Sequence, residues 1–149
     1  MRKHVATVLA LTIAMGGNFV WSLYSDHQKR LAPSTDWFLV QSINVADGSW
    51  RDRHLRVIYD RIIKQPFFAD WYAEVKRASD NFLVCDGSGS NAYEPKDQLP
   101  DTGVTLEWLI GKPCKLAPGQ YYIEITYKIK PVDYPEKEYQ VDSNLFTIQ

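Results

Sequence analysis

From residue 120 to residue 130 the chain changes character at every step. Tyr121, Ile123, Ile125, Tyr127 and Ile129 take one parity, while Tyr122, Glu124, Thr126, Lys128 and Lys130 take the other. A period of two puts these sets on opposite faces of an extended chain, which predicts a half-buried strand. Ala117, Pro118 and Gly119 supply the turn that feeds it. One apolar face must be covered by another layer, so this stretch commits the domain to a packed β architecture.

The same period recurs elsewhere. Ala69, Trp71, Ala73 and Val75 alternate with Asp70, Tyr72, Glu74 and Lys76, and Leu106, Trp108 and Ile110 alternate with Thr105, Glu107 and Leu109. Residues 37–45, 54–63, 81–85 and 138–148 read as further strands. In the last of these the apolar phase switches between Val141 and Phe146, which predicts a bulge near residues 142–144. A helix over residues 60–78 is disfavoured by Pro66 and by the clean alternation of residues 67–75. The expectation is about seven strands and no helix in this part, arranged as an antiparallel sandwich or a small barrel.

The N-terminal segment is of another kind. Residues 5–25 hold no Asp, Glu, Lys or Arg, with Arg2 and Lys3 before them and Asp26, Lys29 and Arg30 after. As a helix this run would be about 31 Å long, close to the roughly 30 Å of a bilayer core. Trp21 and Tyr24 fall where an interfacial aromatic belt would lie. That reading gives one transmembrane helix over residues 5–25. The rival is a secretory signal peptide, with Ala14-Met15-Gly16 as its cleavage site. Either sends the remainder across a membrane, as a tethered periplasmic or extracytoplasmic domain or as a secreted one. The organisation is then residues 1–25 as anchor or signal, 26–35 as a polar stalk and 36–149 as the β domain.

Charge adds an exclusion. All 18 acidic residues and 15 of the 17 basic ones lie at or beyond Asp26, so the β domain is mildly acidic and carries no nucleic-acid footprint. Cys85 and Cys114 are the two cysteines of the chain, and an even count in an exported domain reads as a disulfide. No C-x-x-C is present, and His54 alone could serve as an imidazole ligand in the β domain.

The stretch Lys112-Pro113-Cys114-Lys115-Leu116-Ala117-Pro118-Gly119-Gln120-Tyr121-Tyr122 resembles the Leu-x-Pro-Gly-x-Tyr turn-and-strand signature of bacterial and phage immunoglobulin-like domains. The layout as a whole is similar to small membrane-anchored proteins of phages and bacteria. That resemblance implies an immunoglobulin-like antiparallel β-sandwich preceded by one N-terminal transmembrane helix, and no common activity. Here Trp71 precedes both cysteines, whereas antibody-type domains run Cys, Trp, Cys, so a bridge would join different strands.

Several letters invite chemistry. Asp86, Ser88 and Ser90 follow an apolar stretch and resemble the Asp-x-Ser-x-Ser metal site of von Willebrand A-type domains. That fold needs a helix after the motif and further ligands downstream, whereas a Gly/Ser-rich loop accounts for the same residues. His54 stands among Arg51, Asp52, Arg53 and Arg56, the pattern of a solvated strand start rather than of a triad base. No carboxylate pair stands out for glycosidase chemistry. Arg51, Arg53, Arg56, Arg61 and Lys64 make a basic patch that reads as an exposed strand face or as a surface for an anionic partner.

These readings converge on a non-enzymatic, membrane-tethered interaction module with no cofactor, no metal and an unknown protein partner. Its expected contact surface is a long loop over residues 86–102, with Asp86, Ser88, Ser90 and an exposed Tyr93. A structural subunit of an envelope or virion-associated assembly, using aromatics such as Tyr72 and Tyr122, is the alternative. A metal-dependent adhesion or hydrolytic site at Asp86, Ser88 and Ser90 is a third class.

Overall fold

The computed structural model describes residues 2–49, 54–97, 99–100 and 102–149, with side chains from Gly16 onward. The chain divides into two compact units, the first ending at Ala32 and the second running Pro33–Gln149. The first unit is a helix, α1 (Arg2–Leu31), with Lys29 and Arg30 in its last turn, where cations suit the helix dipole. Among the described residues no helix is long and apolar enough to cross a membrane. A helix is formed over residues 5–25 as expected, but it continues to Leu31 into the segment expected as a polar stalk.

The second unit is mainly β. A 3-10 turn (Ser34–Asp36) leads into β1 (Phe38–Val45), β2 (Arg56–Ile63), β3 (Phe67–Arg77) and β4 (Leu83–Tyr93). Then come β5 (Val104–Thr105), a short helix α2 (Leu106–Ile110), β6 (Gly119–Lys130), β7 (Lys137–Asp142) and β8 (Phe146–Ile148). One sheet has the order β1-β2-β5; the other runs β4-β3-β6-β7, with β8 also on β6, and all named pairs are antiparallel. The two inner faces meet in one core. Phe38 of β1 packs 4.8 Å from Tyr127 of β6 and 5.5 Å from Phe67 of β3, ring centre to ring centre.

The alternation of residues 120–130 behaves as its period requires: Tyr121, Ile123, Ile125, Tyr127 and Ile129 are all buried. The Tyr121 hydroxyl donates to the Ala117 carbonyl at 2.8 Å, closing the turn that starts β6. β3 buries Phe67, Ala69, Ala73 and Val75, with Trp71 on the same face.

Four expectations are corrected. Residues 106–110 are helical, not extended. The Thr105 hydroxyl accepts from the Trp108 N–H at 3.2 Å as an N-cap, and Gly111 ends the helix in the left-handed region at φ 72°. Leu106 and Ile110, four apart, are the residues this helix buries, while Trp108 is 62% exposed. Second, strand pairing runs well beyond residue 85, to Tyr93. Third, the C-terminal stretch is divided rather than bulged. Ser143 pairs with the backbone of Ile123, and the Asn144 amide bonds the Val45 backbone of the other sheet at 2.7 and 2.9 Å. Asn144 thereby covers the free edge of β1, which explains why the apolar phase changes there. Fourth, the described residues form eight strands rather than seven.

Candidate functional site

Cys85 and Cys114 are bridged, with S–S 2.01 Å, tying β4 to the segment that precedes β6. Beyond this bridge, the stretch expected to be a Gly/Ser-rich loop is a strand with an unusual inner face. Asp86, Ser88 and Ser90 share the outer parity, and Gly87 and Gly89 share the inner one. A Cβ on Gly87 would come within 2.4 Å of the Ile110 carbonyl oxygen, and one on Gly89 within 2.7 Å of the Trp71 ring. The space that side chains would take on this face is filled by α2 and by an indole. The glycines are there for close approach rather than for a turn.

The outer residues are tied to the sheet surface. The Ser90 hydroxyl donates to Asp70 at 2.6 Å, and Lys112 reaches Asp86 at 3.0 Å. Lys130 also bonds Asp70, and these two donors hold the Asp70 carboxyl below the usual carboxylate range, Lys130 first and Ser90 second. Asp86, Ser88 and Ser90 thus lie along one solvated strand face rather than in the loop of a doubly wound domain.

Tyr93 is not on a loop tip. It is 5% exposed, stacked on Phe67 at 5.0 Å and 6.1 Å from Phe38. The exposed recognition tyrosine is corrected to a core anchor.

The basic patch separates in the same way. Arg51 and Arg53 lie outside the described residues. Arg56 reaches the Thr102 carbonyl at 3.4 Å, and Lys64 is exposed. Arg61 has the inward parity of β2, with Val57, Tyr59 and Ile63. Its guanidinium carbon lies 5.2 Å from the centre of the Tyr93 ring and 5.7 Å from that of Tyr59. The Nε is sealed from solvent and makes no hydrogen bond. Among the described residues Arg61 has no ion pair.

Arg61 stands on the wall of a pocket of about 260 Å³ between the sheets. β2 contributes Tyr59 and Arg61; β3 and β4 contribute Trp71, Gly89 and Tyr93; Trp108 of α2 stands at the rim. Among the described residues β5 pairs with Arg56 and Val57 alone, and Tyr59 and Arg61 lie beyond that pairing on β2. The Tyr59 and Tyr127 hydroxyls hydrogen-bond to each other at the floor of the pocket. Burial pushes both phenols up from the ordinary tyrosine range, and it raises Tyr93 too, against the opposing pull of Arg61. Arg61, the phenols and the indole can supply hydrogen-bond donors and flat apolar walls. Among the described residues the lining carries no carboxylate, imidazole or thiol.

His54, weighed in the sequence as a base, is largely exposed and lies 3.8 Å from Glu107. Sequence reasoning passed over Tyr59, Trp71 and Tyr127 as site residues. The signal for Arg61 was present, because residues 57, 59, 61 and 63 share one parity with Val, Tyr and Ile as companions. Nothing in the sequence sets Trp71 opposite Gly89. No protein-family model matches the chain, and no curated protein matches it either.

Proposed function

We propose that the chain is a non-enzymatic interaction module, held at a membrane by α1 and presenting an immunoglobulin-like sandwich on the extracytoplasmic side. Contact is made at the pocket between β2, β3 and β4. The observation that carries this is the pocket itself: a recess between the sheets walled by aromatic rings and by the Arg61 guanidinium, whose Nε has no hydrogen-bond partner. Gly89, Asn91, Tyr93 and Leu99 line the recess, so the segment over residues 86–102 contributes the inner face of a strand where a loop surface was expected. Phenols kept protonated by burial and a guanidinium are donors, not bases or nucleophiles, which favours binding over catalysis.

The location rests on the uncharged residues 5–25 within α1 and on the Cys85–Cys114 bridge, which suits an oxidising compartment. The immunoglobulin-like assignment rests on two antiparallel sheets and on the Tyr121 hydroxyl folded back onto Ala117, similar to the tyrosine corner of such domains. Tyr72 and Tyr122, the aromatics a structural subunit would use, are engaged on the outer face by Lys128 and Asn81.

Amide shift mapping of the full chain in detergent tests the contact site, with benzyl alcohol and benzoate as probes. Shifts confined to Gly89, Asn91 and Val57 are expected, and their absence with both probes would remove the pocket as the contact site. Intact-mass measurement of the membrane-extracted chain is expected to show residues 1–16 retained. A start near Gly17 would replace the anchor by a cleaved signal.

A further inference from the structure

We infer that the pocket recognises the carboxylate of a small ligand with a flat apolar body, and that Arg61 is the group that selects it. This rests on the pocket being the contact site and adds the chemistry of its occupant.

Arg61 is the starting point. A guanidinium turned into the space between two sheets gives up hydration, and its sealed Nε–H recovers no hydrogen bond in return. Ring faces of Tyr59 and Tyr93 offset part of that cost and hold the planar fork in place. Among the described residues no carboxylate lies in the lining, so a bound anion would meet the attraction of Arg61 there. Asn91 adds a neutral polar group at the same place.

Charge and shape then narrow the ligand. One guanidinium matches a monoanion, and its planar fork matches the two oxygens of a carboxylate. A phosphate dianion would call for a second cation, and among the described residues the lining offers Arg61 alone. Trp71, Tyr127 and the two tyrosines beside Arg61 offer flat walls to the rest of the ligand. The volume of about 260 Å³ is just under the ~300–1,000 Å³ of pockets for drug-sized molecules, which sets the scale at about one ring with a short acidic arm.

The test compares benzoate, phenyl phosphate and benzyl alcohol on the full chain in detergent, read by the Gly89 and Asn91 amide shifts. Benzoate is expected to bind at least ~10-fold more tightly than benzyl alcohol and more tightly than phenyl phosphate. Arg61→Gln should abolish the preference for benzoate over benzyl alcohol. Equal binding of benzoate and benzyl alcohol to the wild-type chain would overturn the carboxylate while leaving the pocket as a contact site. A preference for phenyl phosphate would overturn the carboxylate in favour of a phosphate ligand. Shifts with none of the three would remove both readings. Should Arg61→Gln fail to fold, the wild-type comparison at ~0.02 and ~0.3 M salt decides alone: benzoate must weaken with salt and benzyl alcohol must not.

Discussion

β4 and β6 flank the same strand, β3, and are built on opposite plans. β6 fills its inner face with Tyr121, Ile123, Ile125, Tyr127 and Ile129, so each alternate residue adds buried apolar area at about 25 cal/mol per Å². β4 turns Gly87 and Gly89 inward, which bring almost none. β6 is held in register by its own side chains, because a slip of one residue would expose its whole apolar set. β4 has no such guard. It is pinned at discrete points: the Cys85 bridge at one end, Tyr93 at the other, and α2 and Trp71 pressed against the glycines between. The pocket lies beside β4, with Gly89 and Tyr93 of that strand and Tyr127 of β6 in its lining.

The largest effect expected from this contrast is at Tyr93. If β4 is pinned there, Tyr93→Ala removes a buried ring from a cluster with Phe38 and Phe67 and should cost about 3–5 kcal/mol by urea melting. Ile125→Ala in the middle of β6 should cost about 2–5 kcal/mol, so a single anchor on β4 would weigh as much as a core position on β6. A loss of under ~0.5 kcal/mol for Tyr93→Ala is what an exposed side chain gives. That result would break the comparison.

A smaller effect is expected at Gly87. The added methyl of Gly87→Ala meets the Ile110 backbone, which cannot rotate away as a side chain could, so α2 must shift. The expected cost is about 1–3 kcal/mol, against under ~0.5 kcal/mol for Ser88→Ala on the outer face. Equal costs at the two positions would show that α2 does not need the glycine.

The same contrast explains what could be read from the sequence. β6 was legible because a solvated face and a buried face write a period of two directly into the residues. Of β4 only the start, within the strand expected over residues 81–85, was legible; beyond Cys85, Gly87 and Gly89 serve partners far along the chain, Ile110 and Trp71, and a glycine selected for close approach looks like a glycine selected for a turn. α2 was misread for a related reason: Leu106, Trp108 and Ile110 fit a period of two, and Leu106 with Ile110 fits a helix of one turn equally well. The Thr105 cap and Gly111 decide between them. Of the site, the Cys85–Cys114 pair and the inward parity of Arg61 were open to sequence reasoning. The pocket was not, since Tyr59 and Arg61 meet Trp71, Gly89 and Tyr93 only once the sheets are packed.

The smallest expected effect lies on the outer face, where Asp70 of β3 is shared by both neighbours. It accepts from Lys130 of β6 and from Ser90 of β4, and both bonds hold its carboxyl below the usual value. A group whose folded pKa is depressed stabilises the fold above its unfolded value of about 3.9 and loses that contribution as pH falls through the folded pKa. Asp70→Asn should therefore leave the melting curve at pH 7 nearly unchanged, since Asp70 and Lys130 are solvent-screened, and should flatten its dependence on pH below about 4. The carboxyl itself gives the sharper measurement. Followed by NMR, its titration midpoint should rise toward about 3.9 in Lys130→Ala and by less in Ser90→Ala, because the charged donor acts more strongly than the hydroxyl. A larger rise in Ser90→Ala would mean that β4, the strand held at points, grips the outer face of β3 more firmly than β6 does, and the ranking of the two strands on that face would be reversed.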